Sequence, residues 1–223
     1  MMFNLIRKTI KKQFYSFFSI QKKNRIQKQN KEVYKSYVQS LRNKNLNKEI
    51  CKNEKDLLYK CILCKTFMSP TEYGSELEKY LKNILNIKKA VNSVSGDGQK
   101  DNNNIEIKVS LSDNEGRLNY LQIRPDHFID YYLFLAYNLK ENDMGNVYIM
   151  IIPSQKIYDL IPEYAGYSHG TVEVFGKITS ENIFGRNLEY SLRPNPTKSD
   201  DTKTKQLWNE LIKYQIDISN YFI

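Results

Sequence analysis

The sequence predicts a mixed α/β or α+β fold, because its hydrophobic period changes twice along the chain. Residues 75–88 carry apolar side chains at helical spacing, which predicts a helix with one buried stripe. Residues 104–111 (NIEIKVSL) alternate between apolar and polar side chains, as a strand with one buried face does. Residues 130–137 and 146–152 are continuous apolar runs, typical of central strands covered on both faces. We therefore expect a mixed central sheet flanked by helices.

The elements before the sheet are predicted to be helical. Residues 53–68 form the first helix, which Ser69-Pro70 ends because proline lacks an N–H and restricts the residue before it. The second helix spans 75–88. Residues 90–96 are predicted to be extended, and the turn-forming tract 97–103 (DGQKDNN) predicts a tight hairpin into the strand at 104–111.

The remaining elements follow from the same periodicities. Beyond the hairpin we predict strands at 118–124, 130–137, 146–152 and 188–193, a short helix at 154–161, and loops with a peripheral strand between 162 and 187. The last predicted helix, 203–216, is entered through possible capping residues Ser199, Asp200 and Asp201.

The net positive charge of the chain comes from one end of it. Of the 223 residues, the first 50 carry 13 Lys and Arg against 2 Asp and Glu, a net charge of +11. Residues 51–223 carry 21 against 23, a net charge of −2. We therefore divide the chain into a basic helical N-terminal arm, residues 1–50, and a body, residues 51–223. The arm has three open roles: a phosphate-contacting segment, a targeting or membrane-surface helix within residues 1–20, or a helix packed on the body.

Composition excludes several classes of protein. Apolar residues make up 40% and charged residues 26%, which fits a globular chain, and no run approaches the length of a membrane span. Three cysteines are too few for a disulfide scaffold, so we expect a reducing compartment. Cys61-x-x-Cys64 is half of a zinc-binding pattern, and because no second pair in the sequence completes it, we predict that these thiols belong to the core. The two histidines do not have the spacing of the ligands in a zinc hydrolase. Glycine loops of nucleotide-binding proteins are absent from the sequence.

Four polar residues around the hairpin form the candidate for chemistry. Glu106 and Lys108 are two residues apart on one strand, so their side chains share a face. A hairpin at 97–103 brings Asp97 beside them, and Glu78 lies on the preceding helix. Neighbouring carboxylates repel unless a cation lies between them, and Mg²⁺ favours one or two carboxylates together with phosphate and water. The ordinary alternative is a solvated strand face, which the E-x-K pair alone does not exclude.

The run SGDGQKDNNNIEIKVSL (95–111) resembles the core of the PD-(D/E)XK nuclease superfamily, and of type II restriction endonucleases in particular. SPTEYGSELEKYL (69–81) is similar to the helix that precedes the metal-binding hairpin, with Gly74 and Glu78 in a Gly-x-x-x-Glu pattern, and the similarity continues through 119–138. The resemblance implies a restriction-endonuclease-like core. It implies that Asp97 and Glu106 bind the metal, Lys108 is the catalytic lysine, and Glu78 is an auxiliary ligand. Asp101 is the alternative to Asp97 as a metal ligand, and Glu76 is the alternative to Glu78 as the auxiliary ligand.

Further polar residues are candidates for contacts with DNA. Arg124 can bind a phosphate with its planar fork, although an ion pair with Asp126 or Asp130 is the structural alternative. Gln122 can orient water or a ligand, or simply face outward from its strand. The other candidates for contacts with the DNA are His127, Ser168, His169 and Thr171.

The sequence and the resemblance together predict a Mg²⁺-dependent type II restriction endonuclease. Such an enzyme hydrolyses phosphodiester bonds in double-stranded DNA at a short specific sequence, leaves 5′-phosphates, and acts as a homodimer because palindromic sites match two-fold symmetry. We expect a cytoplasmic protein of a bacterium or phage, with organelle targeting by residues 1–20 left open. The alternatives are a non-catalytic DNA-binding protein on a nuclease-like core, and a repair or junction nuclease of the same superfamily.

Overall fold

The computed structural model describes residues 51–138, 145–168 and 175–217. The N-terminal arm, with its three predicted roles, lies outside the described residues. The helices are α1 (Leu57–Phe67), α2 (Pro70–Ile84), α3 (Ser154–Tyr164) and α4 (Lys203–Ile212). The strands are β1 (Lys88–Lys89), β2 (Gly98–Lys100), β3 (Asn103–Leu111), β4 (Tyr120–Ile123), β5 (Tyr131–Asn138), β6 (Asn146–Pro153), β7 (Gly166–Tyr167) and β8 (Tyr190–Leu192).

Helix α2 begins earlier than the sequence predicts, and its first turn gives the reason. Ser69 and Glu72 form a reciprocal capping box, which satisfies backbone N–H groups that have no partner within the helix. Pro70 is tolerated in the first turn because its missing N–H would have no helical partner there. Ser69-Pro70 therefore ends the first predicted helix, as expected, and also begins the second one.

The predicted hairpin is confirmed. Strands β2 and β3 pair in antiparallel fashion, with Gly98 opposite Ile105 and Lys100 opposite Asn103. The two turn residues between them, Asp101 and Asn102, both have positive φ angles, of 50° and 63°. This conformation suits the right-handed twist of a hairpin, and Asp and Asn tolerate it better than most residues do.

The prediction that residues 90–96 are extended is wrong. The strand before the hairpin is the two-residue β1, and the chain then bends through the residues that follow. The Asn92 carboxamide oxygen accepts hydrogen bonds from the N–H of Val94 at 3.1 Å and from the Ser95 hydroxyl at 2.8 Å. These local bonds offer the backbone an alternative to a sheet, which the apolar residues of the segment do not reveal.

The prediction of Ser199, Asp200 or Asp201 as the cap of the last helix is also wrong. The Thr202 hydroxyl, not a side chain of Ser199, Asp200 or Asp201, accepts the hydrogen bond from Lys205 N–H at the start of α4. The helix ends at Ile212, four residues before the predicted end.

The protein is a mixed α/β structure with a mixed central sheet flanked by helices. The central sheet has the strand order β1-β2-β3-β5-β6, in which β3 and β5 are parallel and the other pairs are antiparallel. The chain between β3 and β5 passes through β4, which belongs to a second, antiparallel sheet of order β4-β8-β7. The peripheral strand predicted within 162–187 is β7.

The two faces of the central sheet have different neighbours. On one face, Leu85 after helix α2 lies beside Ile105 and Leu133. On the other face, Tyr132 and Phe134 join a buried cluster with residues of α3, α4 and the second sheet. Among the described residues, no helix is both long and apolar enough to span a bilayer.

The three cysteines are buried and form no disulfide within the described residues, as predicted for core thiols. Burial raises the pKa of the Cys61 thiol above its usual value. Cys61 is therefore a packing residue of helix α1 rather than a reactive thiol.

Gly96 and Gly74 allow a matched test of the backbone. Gly96 has φ +76°, and a Cβ there would lie 2.6 Å from the Ile105 carbonyl oxygen. We expect Gly96→Ala to lower the free energy of unfolding by about 1–3 kcal/mol, because the left-handed conformation and the close contact both penalise a side chain. Gly74 is in helix α2 with open space around it. Gly74→Ala should raise that free energy by about 0.5–1 kcal/mol.

Urea denaturation of the two variants and the wild type measures both changes. Equal stability of Gly96→Ala and the wild type would contradict the close approach of Gly96 to strand β3.

Candidate active site

Asp97 is held against strand β3 by two hydrogen bonds. Its backbone N–H donates to the Ile105 carbonyl at 2.9 Å, and its Oδ2 accepts from the Ile107 N–H at 2.7 Å. These bonds lie on either side of Glu106, so Asp97 stands opposite Glu106. The second bond also fixes the orientation of the Asp97 carboxylate and leaves Oδ1 as the oxygen available to another partner.

Glu106 and Lys108 share one face of β3, as predicted. The Lys108 Nζ lies 2.6 Å from Glu106 Oε1, and their side chains are 14% and 12% exposed. The parallel pairing with β5 sets Glu106 beside Tyr132 and Lys108 beside Phe134, so the ion pair lies on the face that carries the buried aromatic cluster. The solvated strand face considered as an alternative therefore does not describe this pair.

Burial controls the electrostatics of Glu106. Loss of solvent raises the pKa of Glu106 above its usual value, and the Asp97 carboxylate raises it further. Lys108 and Arg124 oppose the rise without cancelling it. Burial, more than the neighbouring Asp97 carboxylate, therefore sets the pKa of Glu106.

Arg124 pairs with an acid from a distant part of the sequence. Its Nε and Nη2 donate to Glu189 Oε1 at 2.8 Å and 2.5 Å. The alternative partners considered from the sequence, Asp126 and Asp130, make other bonds: Asp126 accepts the backbone N–H groups of residues 185–187, and Asp130 accepts that of Asn104. Arg124 therefore forms an ion pair, as the structural alternative held, but its partner is Glu189 rather than Asp126 or Asp130.

The charges of two cations of the site act on His127. Partial burial lowers the pKa of His127, and the charges of Arg124 and Lys108 lower it further, with smaller opposite effects of Asp126 and Glu189. The imidazole is therefore neutral at pH 7 and can donate or accept a hydrogen bond.

Gln122 lies in strand β4 of the second sheet, and Ser168 directly follows strand β7 of the same sheet. Gln122 is exposed and has a φ angle of 57°, at the irregularity between Tyr120 and Ile123 in β4. Such a conformation is unusual for a residue other than glycine and is common at functional sites. Ser168 is buried, and its Oγ accepts the Gln122 N–H at 3.5 Å. His169 and Thr171 lie outside the described residues.

Glu78 and Glu76 each have a lysine partner. Glu78 pairs with Lys82 one turn later on helix α2, at 2.5 Å and partly exposed. Glu76 Oε1 lies 2.7 Å from the Nζ of Lys60, whose side chain is 1% exposed. In the part of the chain that the structure describes, no group of three His, Cys, Asp or Glu side chains is placed to hold a metal ion. Asp97 and Glu106 are therefore not joined there by a third such ligand.

The donor set of Asp97 and Glu106 fits Mg²⁺ better than it fits a transition metal. Both ligands are carboxylates, and Mg²⁺ is commonly bound by one or two carboxylates with water and phosphate completing its coordination. Zinc sites are typically built around histidine or cysteine ligands, which this pair does not supply. A hard cation would also relieve the repulsion that helps to raise the pKa of Glu106.

Two features of the site escaped the sequence analysis. Glu189 was not singled out, because its pairing with Arg124 spans 65 residues and has no local signal. Tyr132 and Tyr158 are packing residues for which no sequence pattern indicated a place at the site, yet the Glu106 charge acts on both of their hydroxyls. Neither hydroxyl has a well-aligned hydrogen bond within the described residues.

Glu76 and Glu78 can be distinguished by their effect on stability. Glu76→Gln leaves the buried Lys60 ammonium without its counter-charge, so we expect the free energy of unfolding to fall by roughly 3 kcal/mol. Glu78→Gln removes a partly exposed pair within one helix and should change it by less than about 0.5 kcal/mol. Urea denaturation measures both, and an equal loss in the two variants would contradict the structural role of Glu76.

The pH dependence of stability tests the burial of Glu106. Because its pKa is higher in the folded than in the unfolded protein, the wild type loses stability from this group as pH rises through the folded-state pKa. Glu106→Gln cannot titrate at this position. The free energy of unfolding of the variant relative to the wild type should therefore increase between pH 4 and pH 7. A pH-independent difference in denaturation experiments would show that Glu106 is not desolvated.

Comparison of the chain with protein-family models, with curated proteins and with solved structures finds no match. The functional conclusion therefore rests on the residues of the site.

Proposed function

We propose that the protein is a Mg²⁺-dependent DNA endonuclease of the restriction type, on a restriction-endonuclease-like core. One observation carries the proposal: Asp97 stands opposite Glu106 on a tight hairpin, and Lys108 contacts Glu106 on the same half-buried face. The mixed sheet, with helix α2 packed against β3, agrees with the arrangement that the resemblance of residues 69–111 implies.

The residues divide the chemistry among them. Asp97 and Glu106 would hold the cation, and Mg²⁺ when bound supplies Lewis-acid stabilisation of a phosphate oxygen and a more acidic water. Lys108 carries a positive charge at the same face, where it favours the negative charge that develops on the phosphate. Its contact with Glu106 holds the ammonium in place before substrate arrives.

Contacts with the substrate are assigned to the surrounding polar residues. His127 is neutral and lies near Lys108 and Arg124, so it can bond to a phosphate oxygen as a donor. Arg124 is bound to Glu189. On binding DNA, it would either contact a phosphate while keeping Glu189 or leave Glu189 for the phosphate. Gln122 is exposed in a strained conformation and is suited to contacting a base edge or a ligand. The Ser168 hydroxyl helps to hold Gln122 in place by accepting a hydrogen bond from the Gln122 backbone N–H.

The remaining features of the proposal follow from the resemblance. They are cleavage of double-stranded DNA at a short sequence, 5′-phosphate ends, a homodimer matched to a palindromic site and a bacterial or phage-like cytoplasmic setting. Digestion of AT-rich plasmid with and without Mg²⁺, followed by sequencing of the ends, tests the first two directly. Discrete Mg²⁺-dependent fragments support a site-specific nuclease, and preference for a four-way junction over linear duplex would favour a junction nuclease of the same superfamily.

A non-catalytic DNA-binding protein is the second candidate. It is favoured by two observations: Lys108 is already paired with Glu106, and a third metal-binding side chain does not join the two carboxylates in the described ranges. Retardation of plasmid without cleavage at any Mg²⁺ concentration would establish this candidate over the first.

Asp97→Asn and Asp101→Asn form a matched pair for testing the site. Asp97→Asn keeps the oxygen that accepts the Ile107 N–H but removes the negative charge, so we expect cleavage to fall at least 100-fold, on the order of the loss of one charged catalytic group. Asp101→Asn lies in the exposed turn, where Asn also tolerates positive φ, and should cleave like the wild type. Lys108→Ala should lose cleavage like Asp97→Asn.

Gel-shift measurements in EDTA show whether these variants still bind DNA, which they should do at close to wild-type affinity. Normal cleavage by Asp97→Asn and Lys108→Ala would remove both residues from the active site.

A further inference from the structure

An exposed apolar rim lies next to the carboxylate pair. It consists of Phe128 and Val94, which are joined by a backbone hydrogen bond and whose side chains are 71% and 37% exposed. A phenylalanine ring left in water forgoes the stabilisation that burial would give it. Such a ring beside polar groups that suit chemistry therefore indicates contact with another molecule.

The backbone that carries Phe128 is held on both sides. Its N–H donates to the Val94 carbonyl at 2.9 Å, and its carbonyl accepts from Asn104 Nδ2 at 2.8 Å. Asp130 and Asn104 then exchange two further bonds: Asn104 N–H donates to Asp130 Oδ2 at 2.7 Å, and Asp130 N–H donates to the Asn104 carbonyl at 2.9 Å. The ring thus projects from a fixed position, which lowers the entropy lost on binding.

These bonds also place the ring at the edge of the site. Val94 precedes Asp97 by three residues, and Asn104 precedes Glu106 by two on the same strand. His127, the residue before Phe128, is close enough to Lys108 and Arg124 for their charges to act on it. The same loop therefore carries a group for phosphate and an apolar ring side by side.

A nucleotide presents the same two chemistries, an anionic phosphate and a flat base. The exposed Lys88 pairs through its backbone with Gln99, which in turn pairs with Asn104, and so adds a cation to this edge on the face of Asn104. An apolar protein partner would not need cations next to the ring. The chemistry of the rim therefore matches nucleic acid better than it matches a second protein.

We propose that Phe128 contacts a DNA base next to the cleaved phosphodiester, by stacking on it or by wedging into the base step, with Val94 covering the edge of that base. This inference rests on the proposed function and adds to it the residue that engages the bases. Apolar side chains that enter base steps unstack and kink duplexes, and aromatic stacking tolerates any sequence.

Phe128→Trp and Phe128→Ala test the inference in the full chain, in EDTA, with sonicated plasmid DNA as the probe. The native Trp208 is buried, so the fluorescence of an added exposed tryptophan reports its own surroundings. We expect DNA to quench Phe128→Trp strongly. Lys213→Trp is the control, because that position is exposed at the end of α4, which packs on β6 at the far edge of the central sheet. We expect DNA to leave its emission nearly unchanged.

Affinity and assembly complete the experiment. Phe128→Ala should bind DNA about tenfold more weakly, as expected for the loss of one stacked base. Phe128→Leu distinguishes the two modes: leucine can act as a wedge but cannot stack, so it should recover part of the lost affinity only if Phe128 acts as a wedge. Wild-type affinity of Phe128→Ala, together with no quenching of Phe128→Trp, would overturn the inference. It would not overturn the proposed function, which is tested separately by Mg²⁺-dependent cleavage with the wild type. A change of sedimentation mass in Phe128→Ala without loss of DNA affinity would assign the rim to a second copy of the chain and also overturn the inference. If the wild type binds no DNA, the inference and the proposed function fall together.

Discussion

The hydrogen bond from the Ile107 N–H to Asp97 Oδ2 is the constraint on which the candidate site depends. It ties the residue before β2 to the middle of β3 and so holds one carboxylate opposite another. Glu106 cannot move away, because both neighbours of Glu106 in β3 are bonded to Asp97. The backbone therefore holds the two acids close together, where Lys108 counters their repulsion and a bound metal ion would counter it further.

The parallel pairing of β3 with β5 gives that pair its surroundings. In this register Glu106 and Lys108 share a face with Tyr132 and Phe134, and Phe134 stacks on Tyr120 of the second sheet at 4.2 Å between ring centres. The aromatic packing excludes water from one side of the charged pair. Reduced solvation strengthens the electrostatic interactions of Glu106, which is useful in a site that stabilises developing charge.

Local patterns were enough to predict the hairpin and its face, but not the partners that arrive from distant segments. The alternation of residues 104–111 and the turn-forming residues before them determine where Asp97, Glu106 and Lys108 lie, since all three belong to one hairpin. The bend at Asn92 depends on side-chain hydrogen bonds that periodicity does not report. The pairing of Arg124 with Glu189 depends on how β4 and β8 meet, which is a property of the tertiary fold.

Binding of a divalent cation between Asp97 and Glu106 is the claim on which the proposed chemistry depends. It can be measured without DNA, by titrating Mn²⁺ into isotope-labelled protein and following the paramagnetic broadening of backbone amide signals. Selective broadening of residues 96–98 and 105–108 at substoichiometric Mn²⁺, reversed by excess Mg²⁺, is the predicted result. Broadening confined to exposed acids elsewhere, with the Ile107 amide unaffected, would contradict the assignment of the metal site.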